Sequence, residues 1–315
     1  MWAVAFHPDG KHLFSGNSDE IRRWRLADGQ EVGKQTGMNL NAISVSGNHK
    51  WTVCGTENWA ASVWDAEIHE KVIDVEGKNK VYAVDASPDS TRFATGTRKG
   101  ASIWSITSGE RLVGPLEHDL YVSGVRFSPN GEHLATACRG GAIRVFDSYN
   151  GNKLVAIETS TAALYPITPL AWSNGGQQIF AVSNDKKIKS FNFSTGSQLA
   201  ESQILNGDNV RSLALAANGN FIAAITNRGI SFLDTTTLSR IDPVIEDSED
   251  ICSVALSPDG GCIATGRPDG KIIIRDLGGI LPNVYGPFRV SICAFMMLAF
   301  WISPWHSVSH VDSLH

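Results

Sequence analysis

Apolar and polar residues alternate with a period of two along most of this chain, in runs of about five or six residues. The connections between runs are short and rich in Gly, Pro, Asp and Ser, the residues that hairpin turns demand. The stretch "VYAVDASPDSTRFATGTRKGASIWSITSGERLVGPL" shows the pattern. It predicts strands over 81–86, 92–97, 101–106 and 111–116, with turns at Pro-Asp-Ser, Arg98–Gly100 and Thr107–Gly109. No window of ten or more residues carries a helical period, so the chain reads as all-β.

One turn-like element recurs: "HPDG" at 7, "SGNH" at 46, "SPDS" at 87, "SPNG" at 128, "SNGG" at 173, "AANG" at 216 and "SPDG" at 257. The spacing runs from 39 to 45 residues, the period of four-stranded propeller blades. In the strand ahead of each turn, one column is large: Val4, Ile43, Val84, Val125, Leu170, Leu213 and Val254. The interleaved columns are small: Ala3, Ala42, Ala83, Gly124, Pro169, Ser212 and Ser253, then Ala5, Ser44, Ala171, Ala214 and Ala255. Large on one face and small on the other suits innermost strands that crowd around an axis. The expected fold is therefore a seven-bladed β-propeller of four-stranded antiparallel blades over residues 1–288.

These features resemble the WD40-repeat proteins. The carrying motifs are "SPDG" or "SPNG" after the first strand and a Ser/Thr-Gly pair ending the second, as in Ser15-Gly16, Thr95-Gly96 and Thr265-Gly266. Third strands close with "VWD" at 63–65, "IWS" at 103–105, "VFD" at 145–147 and "FLD" at 232–234. The family often builds a hydrogen-bonded set within a blade from a His, the Ser/Thr, an Asp and the Trp. Here that His is present only as His118, and the Trp column reads Trp24, Trp64, Trp104, Phe146, Phe191, Leu233 and Arg275. Most blades lack the full set, so stability is expected to rest on apolar packing. The family commonly closes its ring with a borrowed strand. In this sequence "NVYGPF" (283–288) aligns with "RLVGPL" (111–116) as blade seven's own outer strand. Side-chain packing alone is then expected to close the blade one/seven seam, its expected weak point.

After Phe288 the repeat stops, and 289–315 form an apolar and then Ser/His-containing tail. Its apolar core, Val290 to Ile302, has 13 residues, against roughly 20 needed to cross a bilayer. Three readings stay open: a membrane tether, an extra strand, or a retained intron whose first codons give Val-Ser. Read as a break where an eighth repeat would begin, the tail also allows the chain to be one propeller of a larger protein.

Net charge is −5, which gives no reason to expect nucleic acid as a partner. The five cysteines are odd in number and form no CxxC pair, which suits a reducing compartment, cytoplasmic or nuclear. The opening "MWAVAFHPDG" does not read as a secretory signal. No GxxxxGK[ST], no GxGxxG before a helix, no HExxH and no paired Cys/His spacing occurs. No catalytic residue, cofactor or metal site is expected, and His7, His12 and His49 are assigned to solvated turns. Propeller enzymes exist on this architecture, but clustered His, Asp and Glu are missing from the inner strands.

Two charges interrupt the small column, Asp85 and Arg126, in successive blades. They are expected to neutralise one another at the channel wall, or to contact something entering it. The resemblance also implies that the rim where one blade passes to the next receives peptides and partner domains. The matching candidates are Trp2, Asn41, Lys80, Tyr82, Tyr121, Arg211 and Asp250, the aromatics and Arg being the types that dominate interface energy. The acidic run "DPVIEDSEDI" (242–251) leads into the same face, as a solvated loop or a selector of basic peptides. The expectation is a monomeric, non-catalytic scaffold that binds other proteins or peptides.

Overall fold

The computed structural model describes residues 3–285, except 18–19, 37–38, 58–59, 69, 77–78, 139–140, 159–168, 184, 204, 206–209, 227–228, 248 and 283–284. Twenty-seven strands form seven antiparallel sheets: six with four strands in sequential order, and one, blade seven, with three among the described residues. The inner strands are Ala3–Phe6, Leu40–Val45, Val81–Ala86, Val122–Phe127, Leu170–Trp172, Ser212–Leu215 and Ser253–Leu256. In blade three the strands run Val81–Ala86, Arg92–Thr97, Gly100–Ser105 and Arg111–Leu116, so only the third differs from expectation, by one residue. The shift falls at Gly100, which pairs with Thr97; its φ of +123° and the close approach of Leu116's carbonyl oxygen to a would-be Cβ require glycine at that strand position.

Each of the seven described apolar clusters draws on two adjacent blades. Between blades three and four, for example, Ile103, Val113 and Leu116 meet Val125, Phe127 and Leu134. The one/seven seam has the same construction: Val4, Phe6, Leu13 and Trp24 pack on Cys262, Ala264, Ile272 and Ile274. Blade seven's expected outer strand, 283–288, lies outside the described residues apart from Tyr285. That residue donates its amide to Pro282's carbonyl in a turn and packs on the six/seven cluster.

The recurring turn explains its own composition. Its fourth residue has positive φ in all seven blades: Gly10, His49, Ser90, Gly131, Gly176, Gly219 and Gly260. Its first residue is Ser in five blades. There Ser46, Ser87, Ser128, Ser173 and Ser257 accept, on Oγ, the amide five residues on at 2.8–3.0 Å. A serine thus satisfies a donor at the hairpin base that the ladder leaves over.

A second set of turns, before the outer strands, touches the preceding blade. Gly109, Gly151 and Gly196 have φ between +72° and +77°, and a Cβ on them would meet Ile73, Val113 or Val155 of the neighbour at 2.8–3.2 Å. Blade six places Leu238 there, also at positive φ (54°), with its side chain buried in the five/six cluster.

Gly10 and Gly151 separate these two causes. Gly10 has φ +65° with open space around it, whereas Gly151 (φ +77°) faces Val113 Cγ1 at 2.8 Å. Gly10→Ala should cost about 1–2 kcal/mol from left-handed strain alone. Gly151→Ala should cost about 1–3 kcal/mol more, from overpacking. Urea titration of both variants checks the difference, and equal costs would mean that the neighbouring blade yields freely.

Candidate partner-binding rim and channel mouth

The inner strands enter the ring around a central cavity of about 160 Å³. Its lining includes Asn41, Tyr82, Ser123, Arg211 and Cys252, the same rim position in blades two, three, four, six and seven, together with Arg126. Of the rim candidates, Trp2 lies outside the described residues.

The remaining rim candidates are held by one another. Tyr82 and Tyr121 stack with ring centroids 5.0 Å apart and planes 25° apart. The Lys80 ammonium stands 5.5 Å from the Tyr82 ring centroid and pairs with Glu57. Asn41 donates its amide to the Val81 carbonyl at 3.1 Å, fixing blade two to the start of blade three. Arg211 reaches Asp250 of the next blade at 3.3 Å. An aromatic pair beside a lysine and a bridging arginine is thus displayed next to the opening, all half-buried.

Asp85 and Arg126 form an ion pair at 2.7 Å. The two ends are unequal: the Asp85 side chain is 13% exposed and that of Arg126 45%. Asp85 also accepts the Phe127 amide at 2.9 Å and the Ser44 hydroxyl at 3.3 Å, so one carboxylate ties the inner strands of blades two, three and four. Burial pushes the Asp85 carboxyl above its usual range, and Arg126 and the Phe127 amide offset only part of that.

The acidic run is largely neutralised. Asp247 pairs with Arg267 and Arg275, Glu249 with Arg267, and Asp250 with Arg211. Glu249 and Asp250 stay about half exposed, so the run is a solvated loop that carries its own cationic partners. Composition alone hid this, because the three arginines sit from 39 residues before to 28 after their partners.

More of the intra-blade polar set survives than the Trp column suggests. Trp24 donates to Ser15 at 2.8 Å and Trp104 to Thr95 at 2.9 Å. In blade seven Arg275, standing in the Trp column, donates to Thr265 at 3.3 Å and so takes over the indole's role. His118 donates from Nδ1 to the Leu116 carbonyl at 2.9 Å, leaving Nε2 as acceptor for the Thr136 hydroxyl at 2.8 Å. Burial lowers the His118 pKa and keeps this ring neutral.

Residues 3–241 match the family described as "Nucleolar protein 10-like, N-terminal domain", a β-propeller. The chain belongs to that family. Residues 243–276 match the WD40 repeat itself. The intraflagellar transport protein 122 homolog of Xenopus tropicalis is 20% identical over 92% of this chain, which spans 24% of that relative. WD repeat-containing protein 1 of Gallus gallus is 28% identical over 69% of the chain and 36% of its own length. The chain thus spans about a quarter to a third of these relatives. The propeller domain of Cps50 (Swd1) from Myceliophteria thermophila superposes with a TM-score of 0.76 at 18% identity, covering 86% of this chain and 94% of its own. A seven-bladed WD40 propeller is the shared fold.

Asp85→Ala should cost about 1–3 kcal/mol, because it frees a buried amide and a hydroxyl. Arg126→Ala should cost about 1 kcal/mol or less, its guanidinium being well solvated. The folded Asp85 carboxyl titrates above its unfolded value of about 3.9, so its ionisation disfavours the fold. That contribution to stability is present below the unfolded value and is lost as pH rises through the folded one. Urea titrations of wild type and Asp85→Asn across that window should show wild type alone losing this increment. Parallel pH profiles would contradict the assignment.

Proposed function

We propose that this ring is a non-catalytic interaction platform that takes an extended segment of a partner protein across the rim beside its channel mouth. The Tyr82–Tyr121 stack carries this reading. It sets two large, rigid, amphipathic rings side by side next to a cavity, with Lys80 and Arg211 within the same rim. Aromatic and arginine side chains in that setting give the most binding energy for the least ordering cost. The kinship with WD-repeat proteins supports a scaffold, and the partner's chemistry follows from the rim: two π faces, one ammonium and a paired guanidinium suit a peptide that mixes apolar and acidic residues. The four described cysteines, Cys54, Cys138, Cys252 and Cys262, form no disulfide, in keeping with an intracellular site of action.

The test is capture from native lysate by wild type and by a Tyr82→Ala/Tyr121→Ala/Arg211→Ala variant whose fold is confirmed by circular dichroism. Partners retained by wild type and lost at least tenfold by the variant are expected. Partners held equally by both would move the interface to the blade edges or the opposite face.

A further inference from the structure

The opposite end of blade one departs from the repeat. His7 stands in the turn column that is Ser in five other blades, and Asp9 and His12 follow in "HPDGKH". His7 is 5% exposed, so it is not the solvated turn residue the sequence suggested. Its Nε2 lies 3.1 Å from the His49 backbone carbonyl. A carbonyl only accepts, so Nε2 carries the proton, and Nδ1 of the neutral ring keeps its lone pair, which accepts the Asp9 amide at 3.3 Å.

That lone pair faces Asp9 Oδ1 at 3.0 Å. On the other side of the same carboxylate, His12 Nδ1 lies 2.7 Å from Oδ2. An Arg23 Nη2 donor also stands 3.2 Å from His12 Nδ1, so in the neutral ring this nitrogen either donates to Asp9 or accepts from Arg23. Two imidazole nitrogens therefore converge on one carboxylate, whose Oδ1 also accepts the Lys11 and His12 amides at 2.7 and 3.1 Å, and a cation between them can take the place of a proton shared by His12 Nδ1 and Oδ2.

We propose that His7, Asp9 and His12 form a binding site for a divalent transition-metal ion of the zinc type. One ligand atom from each of the three lies within 4.8 Å of the others, slightly wider than the roughly 4.4 Å that two bonds of about 2.2 Å to one ion can span, so the side chains draw in on binding. Two imidazole nitrogens and a carboxylate oxygen are a borderline donor set that suits zinc, cobalt and nickel rather than calcium or magnesium. The His49 carbonyl plays the outer-shell part that fixes a ligating ring's tautomer and aim. Asp9 and His12 side chains are 23% and 20% exposed, which gives an ion a way in and leaves room for water as a further ligand. Arg23 is held from blade two, donating to the Ala66 carbonyl at 2.8 Å. Binding exchanges its contact with His12 for the ion, and its positive charge weakens the site. The site lies at the far end of the inner strands from the rim and does not rest on the rim's role.

Co²⁺ titration of the chelator-treated full chain tests this, followed by visible absorption and by melting with and without Zn²⁺. Wild type should take up one Co²⁺ with ligand-field bands that Zn²⁺ bleaches, and Zn²⁺ should raise its melting temperature. Asp9→Asn and His12→Gln should each lose at least tenfold in affinity together with the thermal shift. Arg23→Gln should bind more tightly, which incidental surface binding would not do. A variant with His306, His310 and His315 all changed to Ala should keep the bands. Bands that persist in both Asp9→Asn and His12→Gln would overturn the site. So would a folded wild type that takes up no Co²⁺, leaving protons as the only cation there.

Discussion

No blade of this ring can cover its own apolar face, and the rest of the structure follows from that. Each sheet leaves large side chains on a surface that only the next sheet can bury, so the seams carry the hydrophobic gain. Phe127 and Leu134 are buried because blade three stands against them. The small inner columns serve the same end by letting seven strands approach one axis. Polar ties then pin seams that apolar packing leaves free to slide. Arg92, 6% exposed, reaches from blade three to the Gly131 and Ser148 carbonyls of blade four at 3.0 and 3.1 Å. Asp85 does the same across three blades near the channel.

Much of this was legible because repetition turns weak local signals into columns. Strand ends in blade three, the large and small inner positions and the facing charges Asp85 and Arg126 all follow from stacking one repeat on the next. The rim residues were legible for the same reason, being fixed by their offset from the inner strands. What escaped were contacts between positions that no column lines up. Arg275 replaces an indole because Thr265 still needs a donor, yet as a letter it reads as a lost Trp. The acids at 242–251 read as unpaired until Arg211, Arg267 and Arg275 are placed beside them. His7 looked exposed because turns usually are, whereas blade two closes over it. Leu238 shows how tertiary packing overrides turn preference, its burial compensating for a backbone that favours glycine.

The two ends of the inner strands have divided the chemistry between them. At the rim, side chains pair loosely and stay half open: Arg211 with Asp250, Lys80 with Glu57, tyrosine on tyrosine. Such groups can exchange one partner for another at little cost. At the opposite end the groups are fixed by backbone amides and carbonyls, as in the serine-closed turns and the His7–Asp9–His12 cluster. One end is suited to recognition, and the other to holding the ring's shape.

A closed ring adds a geometric consequence to its seven seams. The rotations between successive blades must total one full turn, so no seam can widen unless the others narrow. A ligand wedged beside Tyr82 and Tyr121, at the junction of blades three and four, would therefore have its displacement shared around the circle. Packed seams resist that sharing, and the stiffness felt at any one site is a property of the whole circumference.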